Sequence, residues 1–513
     1  MFPLPGTRRT VLSIFPVAFE QLALPLAGVS PNPELTRIPR TRRVFVNRNL
    51  KMAGIDWVGF DMDYTLAVYN QAEMDRLSIE ATRAKLLKRG YAEDVVGSIE
   101  YQLDFPIRGL LIDKRYGHIL KMDRFKFVQR GYHGLRELSK DELRALYHQK
   151  KVRPTTARYH WIDTLYALSE ATLYAGIVQA FEARGLEIDY ARLFADIRES
   201  IDEAHRDGTI LDEVMGNLPR YIDRDPQLAQ TLHKLRSAGK KLFLLTNSRW
   251  PYTEKMMTYL LGGAMAEYPS FRHYFDLIMV AAQKPAFFQE RRPLLERVGT
   301  EVVQAVAPLE RGRIYEGGNL VDLERFLDVT GDRILYVGDH IYGDILRSKK
   351  ESAWRTAMII QEMEAEVLAH ESCREEHQKS AELEGRREEL EDQLRYHQQR
   401  FKDLTRRMED AGEKGGNGSS PFEAERSRIK RAVERIRGHL RAVDAEASRI
   451  EREIARRFHP YWGSLLKEAS ETSSFGDQVE EYACIYTSRV SNLLAYSPLQ
   501  YFRSPRDQMP HEL

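Results

Sequence analysis

The sequence predicts an α/β protein: a doubly wound parallel-sheet core with an inserted, mainly helical cap and a charged helical hairpin towards its C-terminus. Three observations predict it. Short apolar runs end in polar or acidic residues, and helical-looking segments separate several of them. About 180 residues lie between the first two runs, too many for a simple crossover. The last third changes to apolar residues spaced by threes and fours within dense charge.

The first run is Ile55-Asp56-Trp57-Val58-Gly59-Phe60; the next three cover 241–245, 275–280 and 333–337, and a fifth, 356–360, lacks the polar ending. Runs of this kind without strict alternation suit strands covered on both faces. Helices between them favour a doubly wound sheet. Ligands bind beyond the carboxyl ends of such strands, where the polar clusters fall. The core is therefore expected over 41–66 and 236–360.

The insertion, 67–235, opens with helical sequence at 71–89. It has hairpin character around Tyr116-Gly117-His118 and is helical again over 161–205. Residues 1–40 are expected as a loose arm. Arg8 and Arg9 precede an apolar stretch, as in a secretory leader, but Pro16 breaks it and Glu20 follows. No run of eighteen apolar residues exists, which argues against an ordinary membrane-spanning helix.

Leu383, Leu390, Leu394, Phe401, Leu404 and Met408 are spaced by threes, fours and sevens. Beyond the loop 412–421, Ile429, Val433, Ile436, Leu440, Val443, Ala447, Ile450 and Ile454 alternate by four and three. The spacing predicts an antiparallel coiled-coil-like hairpin within 361–458. A solvated strut is its plainest role. Residues 459–513 are expected as a helical segment packed on the core.

Composition excludes several classes. Lys plus Arg is 77 and Asp plus Glu 76, so no overall field points to nucleic acid or an anionic membrane. A local basic patch, Arg37, Arg40, Arg42, Arg43 and Arg48, has no recognised binding module with it. The two cysteines, Cys373 and Cys484, lack metal-ligand spacing and suit a reducing cytoplasm.

The chemistry lies at the strand ends. Asp61 and Asp63, at i and i+2, project the same way from an extended chain. One can attack phosphorus while the other protonates the leaving oxygen and later activates water. Thr246-Asn247-Ser248 offers hydroxyls and N–H groups to phosphate oxygens. Lys284 supplies the cation that a carboxylate nucleophile needs beside a phosphate. Asp339 and Asp344, on the loop from Gly338 to Asp344, are hard oxygen ligands suited to Mg²⁺.

Four such clusters in this order form the pattern of the haloacid-dehalogenase-like (HAD) phosphatases, which the chain resembles. Residues 60–69 (Phe60-Asp61-Met62-Asp63-Tyr64-Thr65-Leu66-Ala67-Val68-Tyr69) are similar to the signature of the cytosolic purine 5′-nucleotidases. So are Phe105-Pro106-Ile107-Arg108-Gly109-Leu110, Ile314-Tyr315-Glu316-Gly317-Gly318, residues 336–350 and Met509-Pro510-His511-Glu512. The likeness covers most of 41–360 and returns in 460–513.

The resemblance implies a HAD-like core, with Asp61 as nucleophile and Asp63 as general acid/base. It implies phosphate held by Thr246, Asn247 and Ser248 and neutralised by Lys284. Mg²⁺ would bind the Asp61 and Asp339 carboxylates and the backbone carbonyl of Asp63, with Asp344 close by. Tyr166, Arg198, Asp202 and His205 agree with the family's base-recognition pattern, and the last three share one helical face. Standing alone, they would read as a surface salt-bridge face. Arg206 and Leu211 depart from the family, which usually has an aromatic residue and a lysine there.

The implied substrates are purine nucleoside 5′-monophosphates, IMP and GMP ahead of AMP, with phosphoryl transfer to nucleosides as a side reaction. Arg153, Asp163, Tyr342 and Lys350 fall where the family binds a nucleotide effector, with Asp163 and Tyr342 as substitutions, and a homo-oligomer is expected. Two alternatives stay open: a phosphatase for another small ester such as a sugar phosphate, and an interaction protein working through the hairpin.

Overall fold

The computed structural model describes residues 38–97, 99–148, 151–299, 301–304, 309–346, 352–413 and 419–506. The arm expected over 1–40 lies outside them up to residue 37, as do Lys350 and the stretch from Met509 to Glu512.

Each of the five apolar runs forms a strand. They become β1 (Trp57–Phe60), β2 (Lys241–Leu245), β3 (Leu277–Val280), β5 (Ile334–Gly338) and β6 (Arg355–Ile359), to which Ile314–Gly317 adds β4 and Ile485–Thr487 adds β7. These run parallel in the order β7-β6-β5-β1-β2-β3-β4 within a ten-stranded sheet. Phe45–Val46 pairs antiparallel with β7, and the hairpin Leu294–Val298/Glu301–Gln304 closes the other side. This is the α/β architecture with a mainly parallel sheet that the sequence predicts.

Alternate residues feed two faces. Val58, Phe60, Leu242, Leu244, Leu335 and Val337 join one apolar cluster, which continues into the insertion. Trp57, Phe243, Leu245 and Tyr336 join another with Trp354, Leu320 and Leu323. Burying each large side chain contributes about 1.5–3 kcal/mol relative to exposure. A Cβ at Gly59 would run into the Phe243 ring, so only glycine lets that ring lie across β1. In register, Phe60 of β1 sits beside Val337 of β5 and Leu244 of β2. The residues that follow these three strands therefore emerge along one edge of the sheet.

The insertion carries α1 (Gln71–Lys88), α2 (Leu168–Ala183) and α3 (Tyr190–Arg206). It also holds a five-stranded antiparallel sheet, of which the sequence showed only the hairpin near Gly117. Asp189 caps α3 by accepting from Ala191 N and Arg192 N, both at 3.0 Å. Leu193, Phe194, Ile197, Ile201 and Ala204 bury one face of α3, so Arg198, Asp202 and His205 project from another.

Two 40-residue helices, Arg374–Glu413 and Ser419–Phe458, pack on each other as the expected hairpin. Leu404, Ile429 and Val433 form a buried cluster between them, with Leu394 and Phe401 packed against it. The hairpin starts later than residue 361. Helix Met363–Ser372 instead buries Met363 and Val367 with Met358, Ile360 and Phe475 of the core. The segment 459–513 is not wholly helical either. Beside the helix Ser474–Tyr482 it supplies β7, whose backbone is satisfied by the sheet edge.

That segment is bound to the insertion. Buried Lys121 donates to the carbonyls of Trp462, Ser464 and Lys467 at 2.6–2.8 Å and pairs with Glu468 at 2.8 Å. Such full satisfaction offsets the cost of burying an ammonium group. Among the described residues, no helix is long and apolar enough to cross a membrane.

Candidate active site

The first strand ends in a tight turn. Asp61 N donates to Val337 O at 2.9 Å, and Leu66 N and Ala67 N both donate to Met62 O, at 3.0 and 2.9 Å. Tyr64 takes a left-handed conformation, φ 55°, within this turn. Asp61 Oδ1 accepts from Met62 N at 2.7 Å and lies 2.9 Å from Lys284 Nζ. Asp63 accepts from the Tyr69 hydroxyl at 2.5 Å on Oδ1 and from Ser248 Oγ at 2.7 Å on Oδ2. The Tyr252 hydroxyl stands 2.7 Å behind that of Tyr69.

Thr246 Oγ1 accepts from Ser248 N at 3.0 Å, which curls the loop leaving β2. The Asn247 amide exchanges two hydrogen bonds with the backbone of Lys284, at 2.5 and 3.0 Å. The Asn247 side chain thus positions the lysine. Lys284 Nζ also meets Asp344 Oδ1 at 2.6 Å and donates to the Tyr336 hydroxyl at 2.9 Å. A Cβ at Gly338 would collide with the Asp344 side chain, so the glycine lets that acid fold back over the strand end.

Carboxylate oxygens of Asp61, Asp339 and Asp344 come within 4.8 Å of one another, all buried. Burial raises the pKa of Asp61, which Lys284 opposes and Asp344 reinforces. Burial and Asp344 together push Asp339 up to about 7. For Lys284 burial works against the charge, but Asp344 and Asp61 outweigh it and keep the ammonium well above its usual range. Burial likewise raises Asp63, against the lowering effect of its Ser248 and Tyr69 donors. Three acids thus face one ammonium group. That excess of hard, anionic oxygen fits a divalent cation.

Behind the acids, Arg108 is fully buried. Its Nη1 donates to the Asp339 carbonyl at 3.0 Å, and its Nε and Nη2 fork onto Glu362 at 2.8 and 2.6 Å. An arginine from the insertion therefore fixes the loop that carries Asp339.

Tyr166 connects the acids to α3. Its ring lies 4.7 Å from that of Tyr64, 6.1 Å from Tyr69 and 6.0 Å from the His205 imidazole. Along the same helix face, Arg198 Nη2 is 3.8 Å from Asp202 Oδ2, and Arg198 Nη1 is 2.6 Å from Glu170 Oε1 on α2. Arg206 turns away onto Glu199 at 2.6 Å, and Leu211 packs partly against the core. Of the expected effector residues, Asp163 pairs with His340 at 3.3 Å and Arg153 is exposed. The Tyr342 side chain and Lys350 lie outside the described residues.

Sequence reasoning missed Tyr252, Tyr336, Glu170 and Glu362, and gave no role to Tyr69 or Arg108. The last two stand inside the quoted motifs, and Glu170 interrupts an otherwise apolar stretch of α2, which is a readable signal. Tyr336 reads as a core residue, and nothing in the sequence marks its hydroxyl.

Comparison with known proteins is consistent with this site. The sequence model described as the 5′ nucleotidase family matches residues 44–513. A 5′-nucleotidase domain-containing protein of Dictyostelium discoideum is 28% identical over 499 residues, 93% of this chain and 76% of that protein. The 5′-nucleotidase domain-containing protein 2 of Rattus norvegicus is 31% identical over 350 residues, 65% of this chain and 62% of its own length. Its Homo sapiens counterpart is also 31% identical, over 65% of this chain and 66% of that protein. The match thus spans less than two thirds of these last two proteins.

Proposed function

Because the chain belongs to the 5′ nucleotidase family and carries its HAD-type phosphatase core, we propose that it hydrolyses purine nucleoside 5′-monophosphates through a phospho-aspartate on Asp61. The observation that carries this reading is the run of contacts from Asp63 through Tyr69 and Tyr166 to His205. It links Asp63 through aromatic rings to the helix face that carries Arg198, Asp202 and His205.

In the first step Asp61 attacks phosphorus, the bond to the 5′ oxygen breaks, and Asp63 gives that oxygen its proton. In the second, Asp63 takes a proton from water, which attacks the acyl phosphate and releases phosphate and free Asp61. Lys284 keeps its charge throughout and balances the anion that gathers at the strand ends. Thr246, Asn247 and Ser248 would hold the phosphoryl oxygens from the loop that leaves β2. Mg²⁺ would be held by Asp61, Asp339, Asp344 and the Asp63 carbonyl, where it neutralises the carboxylates facing the phosphate.

Arg198 as donor and Asp202 as acceptor match the 6-oxo and N1–H edge of hypoxanthine and guanine, with Tyr166 stacking on the ring. AMP presents the opposite hydrogen-bond sense. An acceptor nucleoside that reaches the phospho-aspartate before water would receive the phosphoryl group. A nucleotide effector and a homo-oligomer complete the reading and rest on the family alone.

Phosphate release from IMP, GMP, AMP, CMP and glucose 6-phosphate, with Mg²⁺ and then with EDTA, tests it. Mg²⁺-dependent turnover favouring IMP and GMP is expected. Release from the sugar phosphate alone would keep the catalytic roles and overturn the nucleotide assignment.

A further inference from the structure

Glu170 is a buried carboxylate in the first turn of α2, its side chain 4% exposed, and the mechanism makes no use of it. Removing a carboxylate from water costs several kcal/mol unless a partner compensates. The partner is Arg198, whose Nη1 lies 2.6 Å from Oε1. Oε2 is buried without a hydrogen-bond partner, 3.8 Å from His160 Nε2. His160 is no rival cation, since burial and the nearby Arg198 depress its pKa to about 4. Burial in turn raises Glu170 to about 7, against the pull of Arg198.

The pair is one-sided. Arg198 is 38% exposed and could be solvated by water without Glu170, whereas Glu170 is expensive to keep. What the contact provides is orientation. A guanidinium carries five N–H donors in a rigid fork, so tying one terminal nitrogen to a buried acceptor fixes where the others point. Asp202, 3.8 Å from Nη2, stands on the other side of the fork.

We propose that Glu170 is a specificity-positioning residue: it holds the Arg198 guanidinium so that the purine meets a preset donor edge. This rests on the purine-nucleotide reading of the same site. Without Glu170 the arginine samples several rotamers, and substrate binding must bear the cost of ordering it. The phosphoryl end of the site, anchored by Lys284 and Asp63, is untouched.

The test compares Glu170→Leu and Glu170→Gln with the wild type on IMP and on p-nitrophenyl phosphate, an ester with no base. Leucine removes the acceptor at similar volume, and Arg198 stays accessible to water, so the fold is expected to persist. Glutamine keeps the shape and half the polarity if leucine disturbs packing. KM for IMP is expected to rise about tenfold in Glu170→Leu and less in Glu170→Gln, with kcat within about twofold. Both parameters for p-nitrophenyl phosphate should stay at the wild-type level. An unchanged or lower KM for IMP overturns the inference, and so does a parallel loss on p-nitrophenyl phosphate, which would mark a structural role. A wild type that does not favour IMP over CMP and glucose 6-phosphate overturns the purine reading and this inference together. A wild type that does favour it, with unaffected variants, overturns the inference alone.

Discussion

The hydroxyl of Tyr69 donates to Oδ1 of Asp63 across 2.5 Å, and with Ser248 on Oδ2 it leaves that carboxylate little freedom to rotate. Tyr69 is itself buried and braced by the Tyr252 hydroxyl. In its proposed role as proton donor, Asp63 gains from being aimed before substrate arrives.

Tyr69→Phe should therefore lower kcat about tenfold while leaving KM close to the wild type, since the hydroxyl is engaged with Asp63 and Tyr252 and the side chain is buried. Tyr252→Phe, one hydrogen bond further out, should cost less. Steady-state kinetics on one substrate decide it; a wild-type kcat in Tyr69→Phe would count against the positioning role.

Arg108 reaches the Asp339 carbonyl and Glu362 with one guanidinium, a geometry that lysine cannot copy. Arg108→Lys is expected to weaken Mg²⁺ binding on the order of tenfold by freeing the Asp339 loop. Calorimetric titration of Mg²⁺ reads this without turnover. Binding at wild-type strength in a folded variant would show that the loop keeps its shape unaided.

Asp75, on the buried side of α1, accepts from Gln71 Nε2 at 2.9 Å, and burial raises its pKa to about 7 against this lowering hydrogen bond. The folded state thus keeps a proton that the unfolded chain releases near its ordinary value of 3.8. Stability is drawn down as pH climbs through that interval and stays reduced above it. Asp75→Asn keeps the acceptor and loses the charge. It should come close to the wild type near pH 4 and exceed it at pH 8 by on the order of 4 kcal/mol, read as a higher Tm. A difference that does not vary with pH would contradict this account.

The parts visible in the sequence are those that physics forces to be local. β1, β2, β3 and β5 read as strands because burial on both faces demands continuous apolar runs. Asp61, Asp63, Thr246, Lys284 and Asp339 could be placed because each follows such a run. β7 is only three residues long, too short to show a period, and Leu294–Val298 carries charge because it lies towards the sheet's edge. The hairpin starts later than its sequence suggests because helix Met363–Ser372 has helical sequence too, and only tertiary packing separates them. Tyr336, Tyr252 and Glu170 escaped notice for a further reason. A core tyrosine or a lone buried acid acquires meaning only through a partner far away in sequence, here Lys284, Tyr69 and Arg198 respectively.

The place of β1 between β2 and β5 has a consequence for how the protein is made. The strand that leads into Asp61 leaves the ribosome first of the seven parallel strands, yet its two neighbours follow about 180 and 270 residues later. At usual rates of translation the nearer one is on the order of 10–40 s away. Until then Trp57–Phe60 has neither of its strand neighbours beside it. Asp61, Asp339 and Asp344 first come together after residue 344 has emerged, so the nascent chain is long past Asp61 before this acidic cluster exists.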